Sequence, residues 1–138
     1  MEIGINLIQV ACFIYMLLGF VHAFLTLFTK AMEPTSSEVL ALNKTSHSFI
    51  TAKTTLWLGG IGFHLSHSLG LFVFGAFYFA LSVEYPEIIW TSKFFSAALI
   101  IVPLSYVFLS IKYWFILPSL GLGLASIFCI TGLVYINS

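Results

Sequence analysis

The stretch that decides the fold is TTLWLGGIGFHLSHSLGLFVFGAFYFALSV, residues 54–83, which holds no Asp, Glu, Lys or Arg. A helix needs about 20 apolar residues to cross roughly 30 Å of hydrocarbon, and this run is longer. Its apolar residues are continuous rather than alternating, which excludes a membrane-barrel strand. Lipid cannot solvate bare backbone, so only helices and closed barrels cross a bilayer. The run therefore predicts a membrane-spanning helix.

Outward from it, the same pattern recurs. Residues Ile3 to Thr29 form another charge-free run. A third apolar stretch runs from Trp90 to Ser110 with Lys93 at its edge, where a lysine stem can snorkel to the headgroups. A fourth extends from Pro118 to Ile136, opening on a proline that suits the first position of a helix. Pro103 falls inside the third stretch and predicts a kink near Leu99, because proline clashes with the carbonyl four residues back. The fold expected is all-α: an integral membrane four-helix antiparallel bundle, one domain over residues 1–138, with spans at about 3–29, 54–83, 90–110 and 118–136.

Composition agrees. The chain is 60% hydrophobic and 7% charged, with zero formal net charge, whereas soluble domains carry about a quarter charged residues. With neither Arg nor a basic stripe, it offers nothing to steer nucleic-acid phosphates. Cys12 and Cys129 both sit in apolar runs and read as free thiols acting as small hydrophobes.

The one sizeable polar region is Lys30 to Lys53. Ser36 or Ser37 can cap a short helix with Glu38 in its first turn. Val39, Leu42, Phe49 and Ile50 then face the membrane or the bundle mouth, so a short interfacial helix is expected in this first connection. Before the fourth span, Lys112-Tyr113-Trp114-Phe115 carries the aromatic residues that settle at headgroup level. Lys30, Lys44, Lys53 and Lys112 fall on one side of the membrane, and Lys93 with Glu2, Glu84 and Glu87 on the other. Lysines mark the cytoplasmic side. This predicts a cytoplasmic first connection, both termini outside, and an N-terminal helix that is retained rather than cleaved. The sequon at Asn43 then lies on the wrong side for glycosylation.

No Asp, Glu, Lys or Arg lies deep in a span, which argues against an ion pump built on carboxylates. Histidine is what remains. His64 and His67 are three residues apart, about 60° around a helix, on a face shared with Trp57, Gly60, Leu71, Gly75 and Tyr78. Beside it runs Gly59, Gly62, Ser66 and Gly70, a spacing that lets helices approach; the second span is therefore expected to be the central one. Counting along antiparallel helices puts His22 of the first span level with His64, on a face with Tyr15, Gly19, Thr26 and Thr29.

Three readings of these histidines follow. They hydrogen-bond across helices and fix geometry. Or His22, Trp57, His64, Ser66, His67, Ser68 and Tyr78 line a pocket for a lipid, a quinone or another small apolar or amphipathic molecule. Or His22 and His67 ligate haem or a metal ion. No cofactor is expected on the first two readings. His47, in the connection, is expected to be solvated.

Two motifs add a resemblance. Gly62-Phe63-His64-Leu65-Ser66-His67-Ser68-Leu69-Gly70 and the Lys112–Phe115 connector resemble a family of small bacterial membrane proteins of unknown function, over nearly the whole chain. The resemblance implies four spans and a recurring histidine near the end of the first, matched by His22. It also implies a basic residue and a Thr before the second span, matched by Lys53 and Thr54 or Thr55. His64 departs from the pattern, which more often has Asn.

The function expected is a non-catalytic or ligand-binding bundle in a bacterial inner membrane. The alternatives are a redox protein using His22 and His67, or an accessory subunit. In the last, an exposed stripe of Gly121, Ala125, Cys129 and Gly132 would pack on a membrane-protein partner or a second copy.

Overall fold

The computed structural model describes residues 1–114 and 116–138; Phe115, the last residue of the predicted connector, lies outside the described residues. The elements in chain order are α1 (Glu2–Phe28), α2 (Ser37–Thr45), β1 (His47–Ser48), β2 (Thr51–Thr55), α3 (Leu56–Glu84), α4 (Pro86–Thr91), α5 (Lys93–Tyr113) and α6 (Ile116–Asn137). The fold is all-α but for one small hairpin, and α1, α3, α5 and α6 are long and apolar enough to cross a membrane. The chain forms two compact units. One comprises Met1–Leu18 with Leu71–Ser138, the other Gly19–Gly70.

The first unit holds most of the buried core, including Ile8, Ala11, Cys12, Tyr15, Leu99, Leu122, Ala125 and Cys129. Glycine decides how closely its helices approach. A Cβ on Gly132 of α6 would sit 2.7 Å from the Gly4 carbonyl oxygen of α1, and a Cβ on Gly75 of α3 would sit 2.7 Å from the Cys12 carbonyl oxygen. Close approach of this kind drives helix association in lipid, where no hydrophobic effect operates between helices. Tyr15 is buried and lies edge-on to Phe74 at 5.7 Å. Its Oη lies 3.8 Å from Cys129 Sγ, and both cysteines are free.

Two expectations about small residues are corrected here. The stripe Gly121, Ala125, Cys129 and Gly132 is not exposed: Ala125, Cys129 and Gly132 are buried, and Gly121 faces Leu18. Conversely, Gly59, Gly62, Ser66 and Gly70 on α3 are exposed, and a Cβ at Gly59 or Gly62 would meet nothing within 4 Å. Of the four apolar helices, α6 has the largest buried share of its most apolar stretch, 39% against 28% for α3. Periodicity identifies a stripe of small residues but not what lies opposite it.

The third span is shorter than its apolar run. Pro86 starts α4, which ends at Thr91; Ser92 is extended (φ −90°, ψ 114°), and α5 begins at Lys93. Trp90 thus belongs to a separate short helix. Its neighbour Ile89 is buried, and the Ile89 carbonyl accepts from Ser96 Oγ at 2.6 Å, fastening α4 to α5. Tyr78 Oη donates to the Phe95 carbonyl at 2.8 Å. Pro103 is buried within a continuous α5.

In the second unit, α2 begins as its sequence predicts: Ser36 is the N-cap, its side chain accepts from the Val39 N–H, and Glu38 lies in the first turn. The hairpin that follows was not expected. Strand β1 pairs antiparallel with β2, His47 opposite Thr55 and Ser48 opposite Thr51, with an irregularity between the pairs. His47 is exposed, and its Nδ1 donates to the Thr54 carbonyl at 3.0 Å. Phe49 and Ile50, at the turn, are exposed, as are Val39 and Leu42.

The glycine contacts give a paired test. Gly132→Ala should destabilise the protein by about 1–3 kcal/mol, the usual cost of overpacking. Gly59→Ala should stay within about 0.5 kcal/mol. Equilibrium unfolding in mixed detergent micelles measures both, and equal effects would contradict the close approach of Gly132 to Gly4.

Candidate functional site

The polar face of the second unit is built from the end of α1 and the start of α3. His22 lies six residues before the end of α1 at Phe28, and His64 eight residues after the start of α3 at Leu56. At 1.5 Å per residue these offsets are about 9 and 12 Å, close enough for the side chains to meet. His22 Nε2 and His64 Nδ1 are 3.1 Å apart, one donating to the other according to tautomer. His67, one turn further along α3, places its ring 5.9 Å from that of His22 at 70°, while the His22 and His64 rings are 5.2 Å apart. Phe63 stacks on His67 at 6.1 Å and 20°.

Hydroxyl groups around the imidazoles return their protons to the backbone. Thr26 Oγ1 donates to the His22 carbonyl and Ser68 Oγ to the His64 carbonyl, both at 2.8 Å. Ser68 is buried. Ser66 is exposed and donates to the Phe63 carbonyl.

Above the histidine pair is a pocket of about 330 Å³. Its polar lining comes from Thr26, Thr29, Glu33, Asn43, Trp57 and His64, and its apolar lining includes Leu27, Leu56 and Ile61. The turn after α1 folds back to form one wall. The Glu33 N–H donates to the Lys30 carbonyl at 3.0 Å, and the Ala31 N–H to Thr29 Oγ1 at 3.1 Å. Trp57 is flanked by Lys44, whose Nζ lies 5.6 Å from the indole centroid.

Of the residues grouped on sequence, Trp57 and His64 line this pocket. His22 bonds to His64 and has the His67 ring beside it, neither His22 nor His67 lining the pocket; Ser68 is bonded within α3, and Ser66 faces outward. Tyr78 is not part of it: it belongs to the first unit, buried and bonded to Phe95. Shared helical face did not imply shared surroundings, because Tyr78 lies three turns beyond His67. Sequence reasoning missed Glu33 and Asn43. Their only signal was position in the polar connection, and no periodic pattern shows that this connection folds back over the helix ends.

The donor set for metal is thin. Among the described residues, no group of three or more His, Cys, Asp or Glu converges as a metal ligand set. His22 Nε2 is bonded to His64 Nδ1, and both cysteines lie in the first unit. What the arrangement offers instead is a partly polar cleft with apolar walls, bounded below by paired imidazoles. Comparison with protein-family models, with curated proteins and with solved structures finds no match for this chain.

The imidazole contact should be measurable as coupling. Hydrogen bonds between membrane helices contribute about 0.6 kcal/mol on average and up to about 1.7. A double-mutant cycle of His22→Ala and His64→Ala, read by unfolding in micelles, should return a coupling in that range. Strict additivity of the two substitutions would show that the pair contributes nothing.

Proposed function

We propose that this chain is a multi-pass membrane protein that binds a small amphipathic molecule, without catalysis, in the pocket between the end of α1 and the start of α3. The observation that carries the reading is the pocket itself. A cleft of about 330 Å³ lies within the range of about 300–1,000 Å³ typical of ligand sites. Its lining pairs apolar walls with a few convergent polar groups, the combination that orients a ligand having one apolar end. Polar side chains at membrane depth are costly unless bonded, and the imidazole pair meets that requirement for His22 and His64.

Lysine placement supports an orientation for the site. Lys30, Lys44 and Lys53 all fall between α1 and α3, and Lys112 lies in the last turn of α5. On the positive-inside rule the first connection is cytoplasmic and both termini face outward, so the pocket serves the cytoplasmic leaflet. The resemblance to small bacterial membrane proteins makes a bacterial inner membrane the expected location.

Two experiments test this reading. Gly60 lines the pocket and a Cβ there meets nothing within 4 Å, so Gly60→Leu fills the cleft without disturbing the helices. Protein purified in mild detergent should carry an extractable amphiphile by mass spectrometry, reduced about tenfold in Gly60→Leu, as expected for the loss of about 1.4 kcal/mol of binding. Equal recovery from both proteins would place the ligand elsewhere. For orientation, Thr35→Cys should resist a membrane-impermeant maleimide in intact cells and react once they are permeabilised, whereas Ser138→Cys should react in intact cells. The reverse pattern would invert the topology.

A further inference from the structure

Glu33 carries the one formal charge among the described side chains that line the pocket, and it is negative. The two threonine hydroxyls of the lining are also short of protons to give, while the Asn43 amide and the Trp57 indole keep N–H donors. Thr26 Oγ1 donates its hydrogen to the His22 carbonyl, and Thr29 Oγ1 to the Leu25 carbonyl. A hydroxyl whose proton is committed offers a newcomer only lone pairs. Trp57 adds an aromatic face, and Lys44 Nζ at 5.6 Å from its centroid shows that an ammonium is accepted beside this indole.

From this charge pattern we infer that the pocket selects an amphiphile with an ammonium headgroup, such as a zwitterionic phospholipid. The inference rests on the proposed reading of the pocket as an amphiphile site and names the chemistry that it prefers. The Glu33 carboxylate and the Thr26 oxygen accept from the ammonium, and Trp57 packs against it. Lys44, on α2 beside Trp57, meets the phosphate that follows the amine. Leu27, Leu56 and Ile61 take the methylenes closest to the headgroup. An anionic lipid without the amine could still meet Lys44 through its phosphate but would bring no positive charge to Glu33, and its excess negative charge would work against binding there. Recognition of an ammonium by a carboxylate and an indole needs both, since each alone is weak where water has access.

The test compares two lipids that share a glycerol phosphate and differ in the amine. The full chain is reconstituted into nanodiscs holding equal phosphatidylethanolamine and phosphatidylglycerol, then released gently for native mass spectrometry. The wild type should retain phosphatidylethanolamine over phosphatidylglycerol by about tenfold, the ratio set by one charge-assisted hydrogen bond. Glu33→Gln should bring the two within about twofold, while Glu38→Gln, exposed on α2 and outside the pocket, should leave the preference intact. Trp57→Leu should weaken the preference in a second, independent way. Phosphatidylglycerol retained as well as phosphatidylethanolamine by the wild type would overturn the headgroup assignment while leaving the pocket reading in place. A preference that survives Glu33→Gln would overturn the role of the carboxylate. Retention of neither lipid, with Gly60→Leu indistinguishable from wild type, would overturn the pocket reading itself.

Discussion

A polar group in hydrocarbon has no water to fall back on, and this constraint organises the whole chain. Among the described residues, no buried side-chain nitrogen or oxygen lacks a hydrogen-bond partner. Hydroxyls meet the requirement locally. Thr26, Ser68, Ser105 and Ser126 each donate to the carbonyl four residues back in the same helix. Such bonds cost little geometry and leave the helix able to present an apolar surface. Imidazole carries two ring nitrogens, so a single bond to a nearby carbonyl leaves the other still to be satisfied. A histidine inside a span can meet that need on another helix or at a surface with water. His22 and His64 take the first course, which gives this end of α1 and α3 a fixed register.

Glycine solves the complementary problem of bringing helices together. Lipid tails are as apolar as leucine, so packing must come from contact rather than from expelled water. In the first unit that contact is backbone against backbone: Gly4 and Gly132 each lie where the other's carbonyl would meet a Cβ. The same residue type on α3 does the opposite. Gly59 and Gly62 open on nothing, and Gly60 lends its missing side chain to the pocket. Small residues thus close one unit and leave room in the other.

This difference marks how far the sequence could be read. Four spans were legible because long apolar runs with charge absent or confined to their edges point to helices with hydrocarbon around them. The cap of α2 was legible because Ser36 followed by Glu38 states its own hydrogen bonds. The meeting of His22 with His64 followed from counting residues from the ends of two antiparallel helices. What failed were statements about what faces what. The stripes on α3 and α6 have the same spacing, yet one is buried and the other is not. Tyr78 shares a helical face with His67 but sits in other surroundings. The hairpin escaped notice because Thr51–Thr55 is short and interrupted by Ala52 and Lys53, so its alternation is weak.

The pocket takes part of its lining from the connection between α1 and α3, through Met32, Glu33, Pro34 and Asn43. Spans alone would leave the end of α1 and the start of α3 open to the headgroup layer. Glu33 and Asn43 reach the pocket because the connection doubles back, its first turn held by the Glu33 to Lys30 and Ala31 to Thr29 bonds. The connection supplies the charge and the helices supply the depth. A ligand with a polar head and an apolar body matches that division, since its two ends would meet the two sources of the site in the order in which the membrane already arranges them.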